Sequence, residues 1–178
     1  AGAEGGHGKI RVEQRGFHPG VWKKLFGGLN MKNLDKLQIE AFKELIGRSK
    51  SLRYSPDGNM VYLSFDGFRA FAVPKKDVCI DLDKAVLLDG LKQFFRLDEK
   101  DVELKQTGHC DITREGKYLL ELAGEKFSVW VNKAFFDRYY DGQKICCSSP
   151  VSPVKFMSQV GEIVEAIILP VRRNEKDA

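Results

Sequence analysis

Histidine is scarce in this chain, cysteine never occurs at CxxC spacing, and no run of apolar residues is long enough to cross a bilayer. Each shortage narrows the chemistry. His7 and His18 lie in a Gly-rich, basic N-terminal stretch, so His109 is the one histidine in a patterned region. Nucleophilic catalysis needs a nucleophile, a base and an orienting group. Cys147 with His109 is the pairing that can be drawn, and neither has the surroundings of a nucleophile motif. A metal set would have to gather His109, Cys110, Cys146 and Cys147, and their spacing suits no familiar site. With Cys79, these thiols read as small apolar residues of a reduced, cytosolic protein, the adjacent Cys146 and Cys147 facing opposite sides of a sheet. Asp81 and Asp83 share one side of an extended segment and are expected to precede and cap a helix. The Gly27-Gly28 pair lacks the Lys-Ser/Thr of a phosphate-binding loop. The N-terminus lacks the charged-then-apolar order of a secretory signal. We therefore expect a cytoplasmic, non-enzymatic protein with no cofactor and no metal.

The net charge of +4 is unevenly placed. Lys9, Arg11, Arg15, Lys23 and Lys24 against Glu4 and Glu13 put +3 within residues 1–30, leaving +1 for the rest. A strongly basic nucleic-acid binder would look different, although local patches can still bind phosphate. Residues 1–8, rich in glycine, read as a remnant outside the folded unit. Residues 9–30 carry Trp22 and Phe26 and are expected to precede a natural start near Met31; the rival reading is a native arm with Val21 to Phe26 as a short amphipathic turn suited to a partner or DNA. Patterning begins near Met31, so we expect a flexible segment over 1–30, an α+β domain over 31–173 and a tail over 174–178.

From Leu34 the apolar residues Leu37, Ala41, Leu45 and Ile46 recur at helical spacing, with Asn33 as N-cap and Gly47 as stop. Asp57-Gly58 and Asp66-Gly67 mark turns between apolar runs, the second a tight hairpin. Val86, Leu87, Leu91, Phe94 and Phe95 predict a second principal helix near 84–96. Strands fit Val102–Thr107, Cys110–Arg114, Tyr118–Leu122 and Phe127–Val131, and a helix fits Lys133–Tyr140. Three more strands fit Lys144–Ser148, Val151–Phe156 and Ile163–Val171, the last two flanking a turn at Gln159-Val160-Gly161-Glu162. Tyr62-Leu63, Gly67 and Val73-Pro74-Lys75 align with Tyr118-Leu119, Gly124 and Val131-Asn132-Lys133, a weak internal repeat of a hairpin leading into a helix. The fold expected is an antiparallel sheet backed by two helices.

The end of the chain carries a resemblance. Ser152-Pro153-Val154, a turn, then Ile167-Ile168-Leu169-Pro170-Val171-Arg172 resembles the close of the last domain of bacterial DNA polymerase sliding clamps. Phe65-Asp66-Gly67-Phe68-Arg69 and the strand-to-helix stretch Lys126–Phe136 are similar to further clamp segments. The resemblance implies a duplicated half-domain, each half a helix under antiparallel strands. It also implies an apolar peptide-receiving groove drawing on Val151, Ser152, Val154, Ile167, Leu169, Pro170, Val171 and Arg172, unless these aliphatics are simply core. A clamp chain has three such domains and this one has room for one. The expected function is a binding protein of DNA metabolism that contacts a protein partner or DNA. A phage or mobile-element inhibitor of a host nucleic-acid enzyme is the alternative, and a small enzyme the second. A nucleic-acid patch would need Arg69, Lys75, Lys76, Lys133, Arg138, Arg172 and Arg173 to converge, with Tyr139 and Tyr140 for stacking.

Overall fold

Apolar residues at helical spacing build the first element. Helix α1 (Met31–Ile46) buries Leu37, Ala41 and Leu45 on one face. It begins two residues before the expected cap, so Asn33 lies inside its first turn. At its end the Gly47 N–H still donates to the Lys43 carbonyl. The computed structural model describes residues 31–47, 52–158 and 163–173. The amphipathic turn at Val21–Phe26 and the turn at 159–162 lie outside them.

Strands β1 (Arg53–Asp57), β2 (Met60–Phe65) and β3 (Arg69–Pro74) form an antiparallel meander. Its second turn has both central residues left-handed, Asp66 at φ 65° and Gly67 at φ 74°. That is the geometry an Asp-Gly pair supplies at least cost, and it matches the twist of the flanking strands. The α-helix expected at 84–96 is absent. In its place stand short 3-10 turns at Leu82–Lys84 and Leu91–Phe95, with strand β4 (Val86–Leu87) between them. Gly90, at φ 85°, stops any helix from running through, and the apolar spacing is met by Leu91 and Phe95 inserting from the 3-10 turn. Asp81 does cap as expected, accepting from the Asp83 N–H at the first of these turns.

Two predicted strands merge into one, β5 (Val102–Ile112), whose pairing slips between Gln106 and Cys110. It leads to β6 (Tyr118–Ala123), β7 (Ser128–Asn132) and α2 (Lys133–Tyr139), which Asn132 caps by accepting from the Ala134 and Phe135 N–H groups. The chain closes with β8 (Ile145–Cys147), β9 (Val154–Met157) and β10 (Val164–Ile168), all buried along their lengths. Among the described residues the architecture is α+β: two helices and one open, mixed ten-stranded sheet in the order β4-β1-β2-β3-β10-β9-β8-β5-β6-β7. Among the described strand pairs only β4 with β1 is parallel.

The sheet has a core on each face. Residues of α1 and α2 share one cluster with inward residues of β2, β3 and β5–β10, including Phe65, Phe71, Phe136 and Phe156. Each of those rings, fully buried, stabilises the fold by roughly 1.5–3 kcal/mol relative to exposure. Leu91 and Phe95 cover the other face with Ala70, Ala72, Cys146, Met157, Val164 and Ile167. Cys146 and Cys147 therefore do point to opposite faces. About the central β3–β10 pair the order has a two-fold pattern: α1 precedes β1-β2-β3, and α2 precedes β8-β9-β10.

Candidate functional site

The strand expected over Ile163–Val171 ends early: β10 stops at Ile168, and 169–173 form a tail that leaves the sheet there, while the tail expected over 174–178 lies outside the described residues. Leu169 donates its N–H to the Phe68 carbonyl at 2.8 Å, continuing the β3 pairing by one bond. Pro170 cannot donate. Val171 then donates to the Trp130 carbonyl on β7 at 2.7 Å. Arg173 follows, with its guanidinium 2.6 Å from the Asp111 carboxylate and 4.6 Å above the Trp130 ring. The tail thus bridges the β2–β3 turn and the far strand of the sheet.

Beside it, the turn between β8 and β9 is tied by its own polar groups. The Ser149 and Ser152 hydroxyls lie 2.7 Å apart, and the Cys147 thiol reaches the carbonyls of Ser149 at 2.9 Å and Ser152 at 3.3 Å. Val151 is left outside, 62% exposed. The register Ile168↔Val154 and Ile168↔Arg69 brings this turn, the tail and the Asp66-Gly67 turn to one end of the sheet. Phe68, Val151 and Leu169 are exposed there, with Ser152, Pro170 and Val171 half-buried and Arg172 exposed. Val154, expected to line the groove, is fully buried in the helix-side core, and Ile167 is buried on the other face. Phe68 was missed because a residue after Asp-Gly reads as the start of a strand.

Of the basic residues expected to form a nucleic-acid patch, Arg69 and Arg138 meet at Glu40, whereas Lys75 and Lys76 stand apart from them. Arg69 Nε lies 2.7 Å from Asp66 and its Nη1 3.1 Å from Glu40, with the guanidinium stacked on Phe65 and Phe135. Arg138 reaches the other oxygen of Glu40 at 2.6 Å. Burial alone would lower the Arg69 pKa, but the bond to Asp66 and the nearby carboxylates raise it. The cluster bolts the hairpin to both helices. Lys133 pairs with Asp137 and Arg173 with Asp111. Lys75 and Lys76 are exposed at the opposite end of β3 from Arg69, about 20 Å away along a strand. Tyr139 is buried, its hydroxyl unpartnered and its pKa driven up by desolvation, so it offers no stacking surface.

No dyad forms between Cys147 and His109. Cys147 is buried, where desolvation raises its pKa, and pairs with Val102 at the start of β5. His109 is exposed near the other end of that strand, its Nδ1 3.0 Å from Glu121. Among the described residues no His, Cys, Asp and Glu groups cluster as metal ligands, and no helix is long and apolar enough to cross a membrane.

Three acidic or basic side chains are buried in the sheet region, two of them as a pair. Lys155 and Asp101 form a 2.6 Å ion pair with side chains only 6% and 5% exposed. Glu165, at the β10 bulge, is buried with Oε2 unpartnered, and burial pushes its pKa up to about 7. Comparison with protein-family models, curated proteins and solved structures finds no match to this chain.

Proposed function

We propose that the chain is a clamp-like, non-enzymatic binding protein of DNA metabolism whose contact surface is the Phe68–Val151–Leu169 end of the sheet. The observation that carries this reading is the two-fold pattern about β3 and β10, each half a helix followed by three antiparallel strands. It is the plan that the tail resemblance implies, and we read it as a duplicated half-domain. The repeat we infer runs α1-β1-β2-β3 against α2-β8-β9-β10. The hairpin alignment of β2–β3 with β6–β7 is the poorer match, because its first copy leads only into a three-residue 3-10 turn.

A protein partner fits better than DNA. Arg69, Arg138, Lys133 and Arg173 are each occupied by carboxylates, whereas Phe68, Val151 and Leu169 offer apolar area beside a proline that has no backbone N–H to donate. The test is a titration of the full chain with fluorescent peptides from replicative polymerases and, in parallel, with duplex DNA over a salt series. Leu169→Ser and Phe68→Ser, checked for folding, should weaken peptide binding while Arg172→Ala leaves it unchanged. Binding of DNA alone, steeply weakened by salt, would replace this reading with the nucleic-acid one. Binding of neither ligand would sink both.

A further inference from the structure

Helix α1 is apolar on two sides. Leu37, Ala41 and Leu45 enter the core, yet Ile39, Phe42 and Ile46 are 54%, 49% and 66% exposed. With Asp35 they follow at spacings of four, three and four, which places all four on the outward face. Asp35 has no ion-pair partner among the described residues. A solvent-facing helix gains nothing from three large apolar residues in a row, so this stripe is built to be covered.

We propose that the chain's own N-terminal segment covers it, with the stretch from Phe17 to Phe26 as the occupant. That segment joins α1 directly at Met31 and carries Phe17, Val21, Trp22, Leu25 and Phe26, the apolar content the stripe lacks a partner for. Reach is ample. The nine residues from Trp22 to Met31 span up to about 30 Å, while Phe42 lies about 17 Å along the helix from Met31. Charge agrees at the near end, where Asp35 precedes the stripe and Lys23 and Lys24 lie between Trp22 and Leu25; Lys36 and Lys43 border the stripe beyond it. A tethered segment meets this face at a far higher effective concentration than any free competitor. The stripe shares no residue with the Phe68–Leu169 end, so this inference stands whether or not the proposed function does.

Trp22 is the reporter. Subtracting the emission of the full-length Trp22→Phe variant from that of the parent isolates Trp22 from Trp130 without disturbing the core. We expect Trp22 emission to lie to the blue of the same difference taken in denaturant, and to be shielded from acrylamide. Both properties should be lost in Phe42→Ser and weakened in Ile39→Ser, with circular dichroism showing each variant folded. Asp35→Lys should weaken the shielding without removing an apolar contact, which keeps the test open if a Ser variant unfolds. Trp22 as exposed in the native chain as in denaturant would overturn the proposal. So would shielding that survives the Phe42 and Ile39 changes, or shielding that disappears on dilution together with a dimer, which would assign the stripe to a second copy.

Discussion

Replacing Glu165 by Gln should remove a loss of stability that the parent chain suffers between mildly acidic and neutral pH. Glu165 occupies the bulge of β10, where the pairing with β9 shifts between Val164 and Ala166. The residue is 8% exposed, and one carboxyl oxygen has no hydrogen-bond partner. Desolvation penalises the charged form, so the folded pKa rises from 4.5 to about 7. Between those values the folded chain holds a proton that the unfolded chain has released. Stability is therefore fully present below pH 4.5, falls as pH rises through the window, and is level above about 7. The gap of about 2.5 pH units, at about 1.36 kcal/mol each, sets a ceiling of about 3 kcal/mol. The assay is urea unfolding of parent and Glu165→Gln from pH 4 to pH 9, reading the difference in free energy. Every other titrating group is common to both chains and cancels in the difference. The amide's own unmet donors cost the same at every pH. The difference should move in favour of Gln as pH rises and then level off. A difference flat across the range would show that Glu165 ionises freely, and the desolvation argument would be wrong.

Asp101→Ala should cost about 3–5 kcal/mol in the same unfolding assay, because it leaves the Lys155 ammonium buried without its partner. The double change Asp101→Leu with Lys155→Met should recover most of that loss, and a double variant as unstable as the single would show that the pair itself stabilises. Arg69→Ala should cost roughly 1–3 kcal/mol by freeing Asp66 and Glu40 and removing contacts with two rings. Arg69→Lys should restore only part of it, since an ammonium cannot fork and stack together. Deleting residues 1–28 should leave a cooperative thermal transition while increasing binding of a hydrophobic dye, as the Ile39–Phe42–Ile46 stripe becomes open. A chain that no longer folds after the deletion would place those residues in the core.

Local signals in the sequence were legible where one residue type meets a demand no other meets cheaply. The Asp66-Gly67 turn needs two left-handed residues in succession, and the hairpin closes around Asp66, Gly67 and Phe68 with Phe65 opposite Arg69. Helix α1 and the aliphatic run of β10 after Glu165 follow from apolar patterns. The segment 84–96 shows the failure of the same method. Its apolar spacing is real, but Leu91 and Phe95 can be presented by a 3-10 turn as well as by an α-helix, and Gly90 decides between them. Pairings such as β3 with β10 join residues almost a hundred positions apart, and no pattern within either strand names its neighbour.

Side-chain partnership was the least legible property, and it bears most on function. Arg69 and Arg138 looked like phosphate ligands when counted along the chain. In the fold, Glu40 on α1 stands between them and takes one on each oxygen. A carboxylate shared by two guanidiniums, with Asp66 adding a second, leaves little net positive potential at that end of the sheet. Any phosphate arriving there would have to displace bonds of 2.6–3.1 Å that also hold the hairpin against both helices. The exposed apolar residues a few positions away carry no such obligation: Phe68 and Leu169 engage only their backbone groups in the pairing that joins them. Free apolar side chains on a backbone already fixed by its own hydrogen bonds are preorganised for a partner, because little conformational entropy remains to be lost on contact. The same cluster that removes charge from this surface therefore also gives it a defined shape.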